Sequence, residues 1–177
     1  MRLTTSDPSF AASFTELLGQ KRESSVQVGL AVAEIIAAVK ADGDKALIAL
    51  SQKFDAVDLE KLGLAVTEGE VNAAVASCSA ETLAALEVAR DRIADHHQRQ
   101  LPTNDRYTDA LGVELGHRWT AVESVGLYVP GGLASYPSSV LMNAVPAKVA
   151  GVPRIVMVVP SPRGELNPLV LAAAHLA

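Results

Sequence analysis

The stretch from Val125 to Val159 limits the possible folds of this chain more than any other. A short apolar strand, Val125 to Val129, ends at Pro130-Gly131-Gly132; Ser138 to Ala150 then reads as a helix closed by Gly151, and Ile155 to Val159 is an uninterrupted apolar run. Two parallel strands cannot be joined by a tight hairpin, so strand, glycine turn, helix, strand predicts a right-handed crossover. A run that is apolar at every position predicts a parallel strand covered by helices on both faces. A further helix from Asn167 would complete a βαβα unit.

Upstream of that unit the period is helical. Val28, Val32, Ile35, Ile36 and Val39 predict one amphipathic helix from Ser24 to Ala41, with Gly43 at its stop. Asp44 can cap a second helix that carries Leu47, Leu50 and Phe54 on one face, and FDAVDLEKLGL reads as a connection. Thr67 and Glu70 have capping-box spacing ahead of Val71, Ala74 and Val75. A longer helix from about Ala80 to Gln100 puts Leu83, Leu86 and Ile93 on one stripe and stops at Pro102. From Val113 to Trp119 apolar and polar residues alternate, which predicts a half-exposed strand of an antiparallel hairpin that starts near Tyr107. The expected fold is therefore α/β: a helical N-terminal segment followed by incomplete Rossmann-like units with a parallel sheet.

Composition narrows the function classes. The 177 residues are 49% hydrophobic, enough for a real core, and 15 Lys plus Arg against 20 Asp plus Glu give a net charge of -5 with no basic run. Nucleic acid is thereby disfavoured as a partner, since phosphate binding needs clustered cations. Cys78 is the single cysteine, so an intrachain disulfide and a Cys-built zinc site are both excluded. Neither a signal peptide nor a membrane span is indicated, which leaves the cytoplasm as the expected compartment. The chain stops inside the apolar helical run LVLAAAHLA without a cap, and we expect it to be a fragment of a longer protein.

Few residues could carry chemistry. Gly131 and Gly132 stand at a strand's carboxyl end just before a helix, where ligands of open α/β sheets sit, with Ser135 as a candidate N-cap and Ser138 and Ser139 in the first turn. The spacing is neither GxGxxG nor a P-loop, and a plain chain-reversing turn accounts for it equally well. Tyr128 faces opposite to Val125, Leu127 and Val129 and could flank a nucleotide, although a strand tyrosine is more often packing. Pro146 falls inside its helix and is expected to bend it. His96 and His97 are neighbours that point to different helix faces, and His117 and His175 are distant; His97 reads as half-buried and hydrogen-bonded rather than as a ligand. Asp55, Asp58, Asp91 and Asp95 read as solvated charges, and Ser124, Ser138 and Ser139 lack a nucleophile-elbow context. No catalytic or metal constellation can be assembled.

The run VGLYVPGGLASYPSSVLMNAVPAKVAGV, Val125 to Val152, resembles the signature stretch of histidinol dehydrogenases. The likeness extends back through RIADHHQRQ, FDAVDL and DGDKAL and forward through IVMVVPSPRGELNPLVLAAAHLA. It implies a homodimeric, zinc-dependent enzyme that oxidises L-histidinol to L-histidine in two NAD-dependent steps through an aldehyde. It also implies that Tyr128 contacts NAD, with Gly131 and Gly132 in the same loop. The zinc ligands, substrate ligands and acid-base pair of the family pattern lie beyond position 177, so the resemblance implies that this chain alone is inert. Its expected division is a helical segment with the first part of an α/β domain over residues 1–129, and the start of a second Rossmann-like domain over 130–177. Two other readings stay open: a paralogous NAD-dependent alcohol dehydrogenase on the same scaffold, and a non-catalytic nucleotide-binding or dimerisation module.

Overall fold

The computed structural model describes residues 3–131 and 135–177, with residues 20–26 described by their backbone only. The described residues form two compact units, one up to Phe54 and one from Asp55 to Ala177.

The first unit is helical. Helix α1 spans Phe10–Asp42 and α2 spans Asp44–Asp55, joined at Gly43, whose φ of +56° only glycine adopts freely. Helix α1 therefore begins well before the expected Ser24. Thr15 offers no barrier to that, since its hydroxyl bonds back to the Ala11 carbonyl at 2.9 Å inside the helix. Gly43 alone separates the two helices, at the stop read from the sequence. The apolar stripes are present but only half covered: Ile35, Val39 and Leu50 are half-buried, whereas Val28, Val32, Ile36, Leu47 and Phe54 are exposed.

The second unit holds the core. The segment read as a plain connection contains a short helix, α3 (Leu59–Leu62), because the Asp58 side chain accepts from the Lys61 amide and caps it. Helix α4 (Glu68–Ser77) starts at the predicted capping box: Thr67 Oγ1 accepts from the Glu70 amide, and Glu70 accepts from the Thr67 amide at 2.7 Å. Helix α5 covers Ala80–Gln98, with Ser79 as its cap.

Strands β1 (Asp105–Thr108) and β2 (Glu114–His117) form the expected antiparallel hairpin, with Tyr107 opposite Leu115. All eight of their residues are exposed, so the half-exposed strand predicted from alternation is corrected; Trp119 lies beyond β2. Alternation reported the two faces of the ribbon, but among the described residues none covers the apolar one.

Strands β3 (Ser124–Tyr128) and β4 (Arg154–Val158) pair in parallel across α6 (Pro137–Val149), and α7 (Pro168–Leu176) follows a 3-10 turn at Pro162–Gly164. This is the predicted crossover, and the sheet joins residues on either side of the 129/130 division. Both strands show one half-buried and one exposed face: Val125, Leu127, Ile155 and Met157 are half-buried, whereas Val156 and Val158 are exposed. The expected covering on both faces is thus corrected to one, the face on which Leu127 and Met157 pack against the helical core.

The core is built from small residues at helical spacing. Val140, Leu141, Ala144 and Val145 of α6 meet Val170 and Ala173 of α7, with Val129 fully buried where β3 ends. Alanines let α7 sit deep among α4, α5 and α6, and four consecutive residues, Val170 to Ala173, are buried. Each fully buried Val or Leu contributes about 1.5–3 kcal/mol of apolar transfer, so this cluster anchors the α/β part.

Candidate functional site

Two loops leave the sheet on the same side. The β3 loop passes through Pro130 and Gly131, and the β4 loop through Val159, Pro160 and the Pro162–Gly164 turn to the start of α7. Between them lies a cleft of about 360 Å³ lined by Gly131, Ser135, Pro160, Arg163, Glu165 and Asn167, among others. Its position outside the carboxyl ends of parallel strands is where open α/β sheets bind ligands.

Backbone chemistry sets its walls. A β-carbon on Gly131 would come within 3.1 Å of the Pro160 carbonyl oxygen and 3.2 Å of its ring, so the two loops touch where a glycine permits it. Arg163 and Gly164 take consecutive left-handed conformations, φ +59° and +78°, which turn the chain sharply after β4. At the entry to α7 the Asn167 side chain accepts from the Leu169 amide at 2.9 Å, and Pro168 fills the first helical position, where no amide is needed. Arg163 and Glu165 are exposed and approach each other at 3.8 Å. The rim therefore carries one cation and one carboxylate over a frame of prolines.

The predicted site residues separate. Gly131 lines the cleft, while Gly132 lies outside the described residues. Tyr128 is 65% exposed on the uncovered face of the sheet, opposite Val158 in register, and does not line the cleft. Ser135 lines the cleft but is not the cap: Tyr136 occupies that position without a side-chain bond, because Pro137 begins the helix. Ser138 and Ser139 stay outside the lining, and the Ser139 carbonyl accepts from Asn143.

The other candidates behave as packing or surface groups. His97 is half-buried with Nδ1 2.6 Å from Gln100 Oε1, and the same amide reaches His96 Nε2 at 3.2 Å. His117 sits 3.2 Å from the Thr103 carbonyl and edge-on to Trp119. Asp58 pairs with Lys61 at 2.7 Å, which holds the carboxyl below its ordinary value; Asp91 and Asp95 pair with Arg90 and Arg99. Cys78 is free and half-buried, with its thiol toward the Ala74 carbonyl. Among the described residues no three His, Cys, Asp or Glu side chains converge on a metal position. Arg163 and Glu165, and Asn167 beyond its expected place at a helix start, also line the cleft and were not singled out as site candidates from the sequence, although they follow the second parallel strand as the glycines follow the first.

A family model described as histidinol dehydrogenase matches residues 18–177. A histidinol dehydrogenase of Brucella abortus (strain 2308) is 64% identical over 175 residues, covering 99% of this chain and 41% of that protein. One from Rhodopseudomonas palustris is 58% identical over 177 residues, again covering 41% of its length. The crystal structure of histidinol dehydrogenase from Elizabethkingia anophelis superposes with a TM-score of 0.79 at 32% identity, over 84% of this chain and 34% of that one. The chain thus spans about 41% of the length of these curated relatives.

Proposed function

The chain belongs to the histidinol dehydrogenase family, and on that premise we propose that it forms part of the nucleotide-binding side of an enzyme that oxidises L-histidinol to L-histidine with NAD. The observation that carries this reading is the cleft at the carboxyl ends of β3 and β4, where Gly131 lets the two loops close on each other. Bound there, NAD supplies the hydride acceptor for both oxidation steps. Gly131 would give the nucleotide access to backbone, and the prolines would hold the loops in place before binding, which reduces the ordering cost. Tyr128, on the open sheet face at the same end, would flank the cofactor from outside the cleft.

Zinc is the second cofactor of this reading, and the residues present do not fit it. Among the described residues no donor set of three converges, and the histidines are held by Gln100 and Thr103 or stand apart. No step through a metal is assigned to this chain, and we infer that the 177 residues alone do not turn over histidinol.

No described helix is long and apolar enough to cross a membrane. A cytoplasmic, homodimeric enzyme is the form we propose for the whole protein. The test is an assay of histidinol-dependent NADH formation with the protein expressed from its native gene and with the 177-residue chain. The expected result is activity in the native gene product alone. Failure of that product to oxidise histidinol with NAD and zinc present would overturn the reading.

A further inference from the structure

Strands β3 and β4 pair in parallel across α6, with Gly131 in the loop after the first strand and Glu165 in the loop after the adjacent second, the positions at which a mononucleotide-binding half meets phosphate and ribose. Resting on the nucleotide reading of the cleft, we propose that Glu165 is its specificity-determining residue: the carboxylate accepts from a ribose diol, and with Arg163 it decides between a free 2′-hydroxyl and a 2′-phosphate.

Three observations carry this. Glu165 and Arg163 line the same cleft as Gly131, so a nucleotide phosphate on the glycine side and a ribose on the far side share one cavity. The consecutive left-handed residues Arg163 and Gly164 fix the turn that brings both side chains to the rim. The two charges are 3.8 Å apart, so the carboxylate partly neutralises the guanidinium that would otherwise attract a phosphate. Diol recognition needs an acceptor, and a carboxylate beside it repels a phosphate; one residue therefore favours the dephosphorylated nucleotide and penalises the other.

The prediction follows from removing each charge in turn. In Glu165→Gln the Arg163 guanidinium loses its carboxylate partner, and a 2′-phosphorylated nucleotide should gain. In Glu165→Gln with Arg163→Ala that gain should vanish. Both residues are exposed, with side chains about three-quarters accessible, so neither change removes core packing.

The experiment is calorimetric titration of the 177-residue chain and its variants with adenosine 5′-diphosphate and with its 2′-phosphorylated counterpart. A hydrogen bond to a charged group makes a difference of roughly tenfold to a hundredfold, so the native chain should favour the plain diphosphate by about tenfold or more. Glu165→Gln should bring the two affinities together, and the double variant should lose the phosphate gain. An unchanged preference in Glu165→Gln, with the diphosphate still bound, would overturn the role of Glu165 and leave the nucleotide reading standing. No binding of either nucleotide by the native chain would overturn both.

Discussion

Gly131 and Pro160 are held in contact across the mouth of the cleft, with room for a hydrogen on Gly131 but a tight fit for a methyl group, 3.1 Å from the Pro160 carbonyl. We predict that Gly131→Val forces the two loops apart and weakens nucleotide binding by about tenfold, an effect of the size of one lost hydrogen bond, while thermal stability of the α6 and α7 core is retained. Binding and melting measured on the same preparation check this. Equal loss of both would mean that Gly131 serves packing alone.

Leu141 and Met142 are sequence neighbours with opposite environments, 1% and 57% exposed. Leu141→Ala should cost about 2–5 kcal/mol through the cavity it leaves among Val140, Val145 and Val170, whereas Met142→Ala should stay within about 0.5 kcal/mol. Urea denaturation of both variants tests the assignment of the core face of α6.

The Thr67 amide and hydroxyl both donate to Glu70 and hold its carboxyl below the ordinary value of 4.5. A carboxyl whose folded value is lowered contributes stability above its unfolded value and loses it as the pH falls through the folded one. Glu70→Ala should therefore lower the denaturation midpoint slightly at pH 7, and the difference from the native chain should shrink as the pH falls below 4.5. A difference that stays constant from pH 7 to pH 3 would contradict the capping-box account. The effect is small because the pair is exposed.

Gly116 lies so close to the Asp105 carbonyl that any β-carbon there would collide with backbone. Gly116→Ala should separate β1 from β2, and loss of amide protection at Tyr107 and Leu115, with the β3–β4 sheet intact, would show it. A two-stranded ribbon is marginal by itself, which makes it sensitive to one methyl group.

The crossover and the helices α2, α4, α5, α6 and α7 were legible because their signals are local: the Thr67-Glu70 box, the Asn167-Pro168 start of α7 and the apolar runs of β3 and β4 each act within a few residues, whereas α3 and the first part of α1 were not read. Burial was less legible. Val156 and Val158 are as apolar as Ile155 and Met157, and only tertiary placement decides which pair the helices cover. The same holds for α1, whose stripe predicts a helix but not what would cover Val28 or Ile36. At the site, Gly131 was visible from its place after the first strand; Arg163 and Glu165 hold the equivalent place after the second, but exposed charges in a loop carry no pattern of their own, and it is the left-handed turn at Arg163 and Gly164 that brings them to the cleft.

The most direct measurement is a titration of the 177-residue chain with NAD, followed by backbone amide resonances. Shifts that saturate at Gly131, Tyr128, Val159 and Ser161 and from Arg163 to Asn167, with the hairpin residues Asp105 to His117 unmoved, are the predicted result. Saturable NAD binding that leaves the cleft residues unperturbed, or no binding at all, would contradict the assignment of this cleft as the nucleotide site.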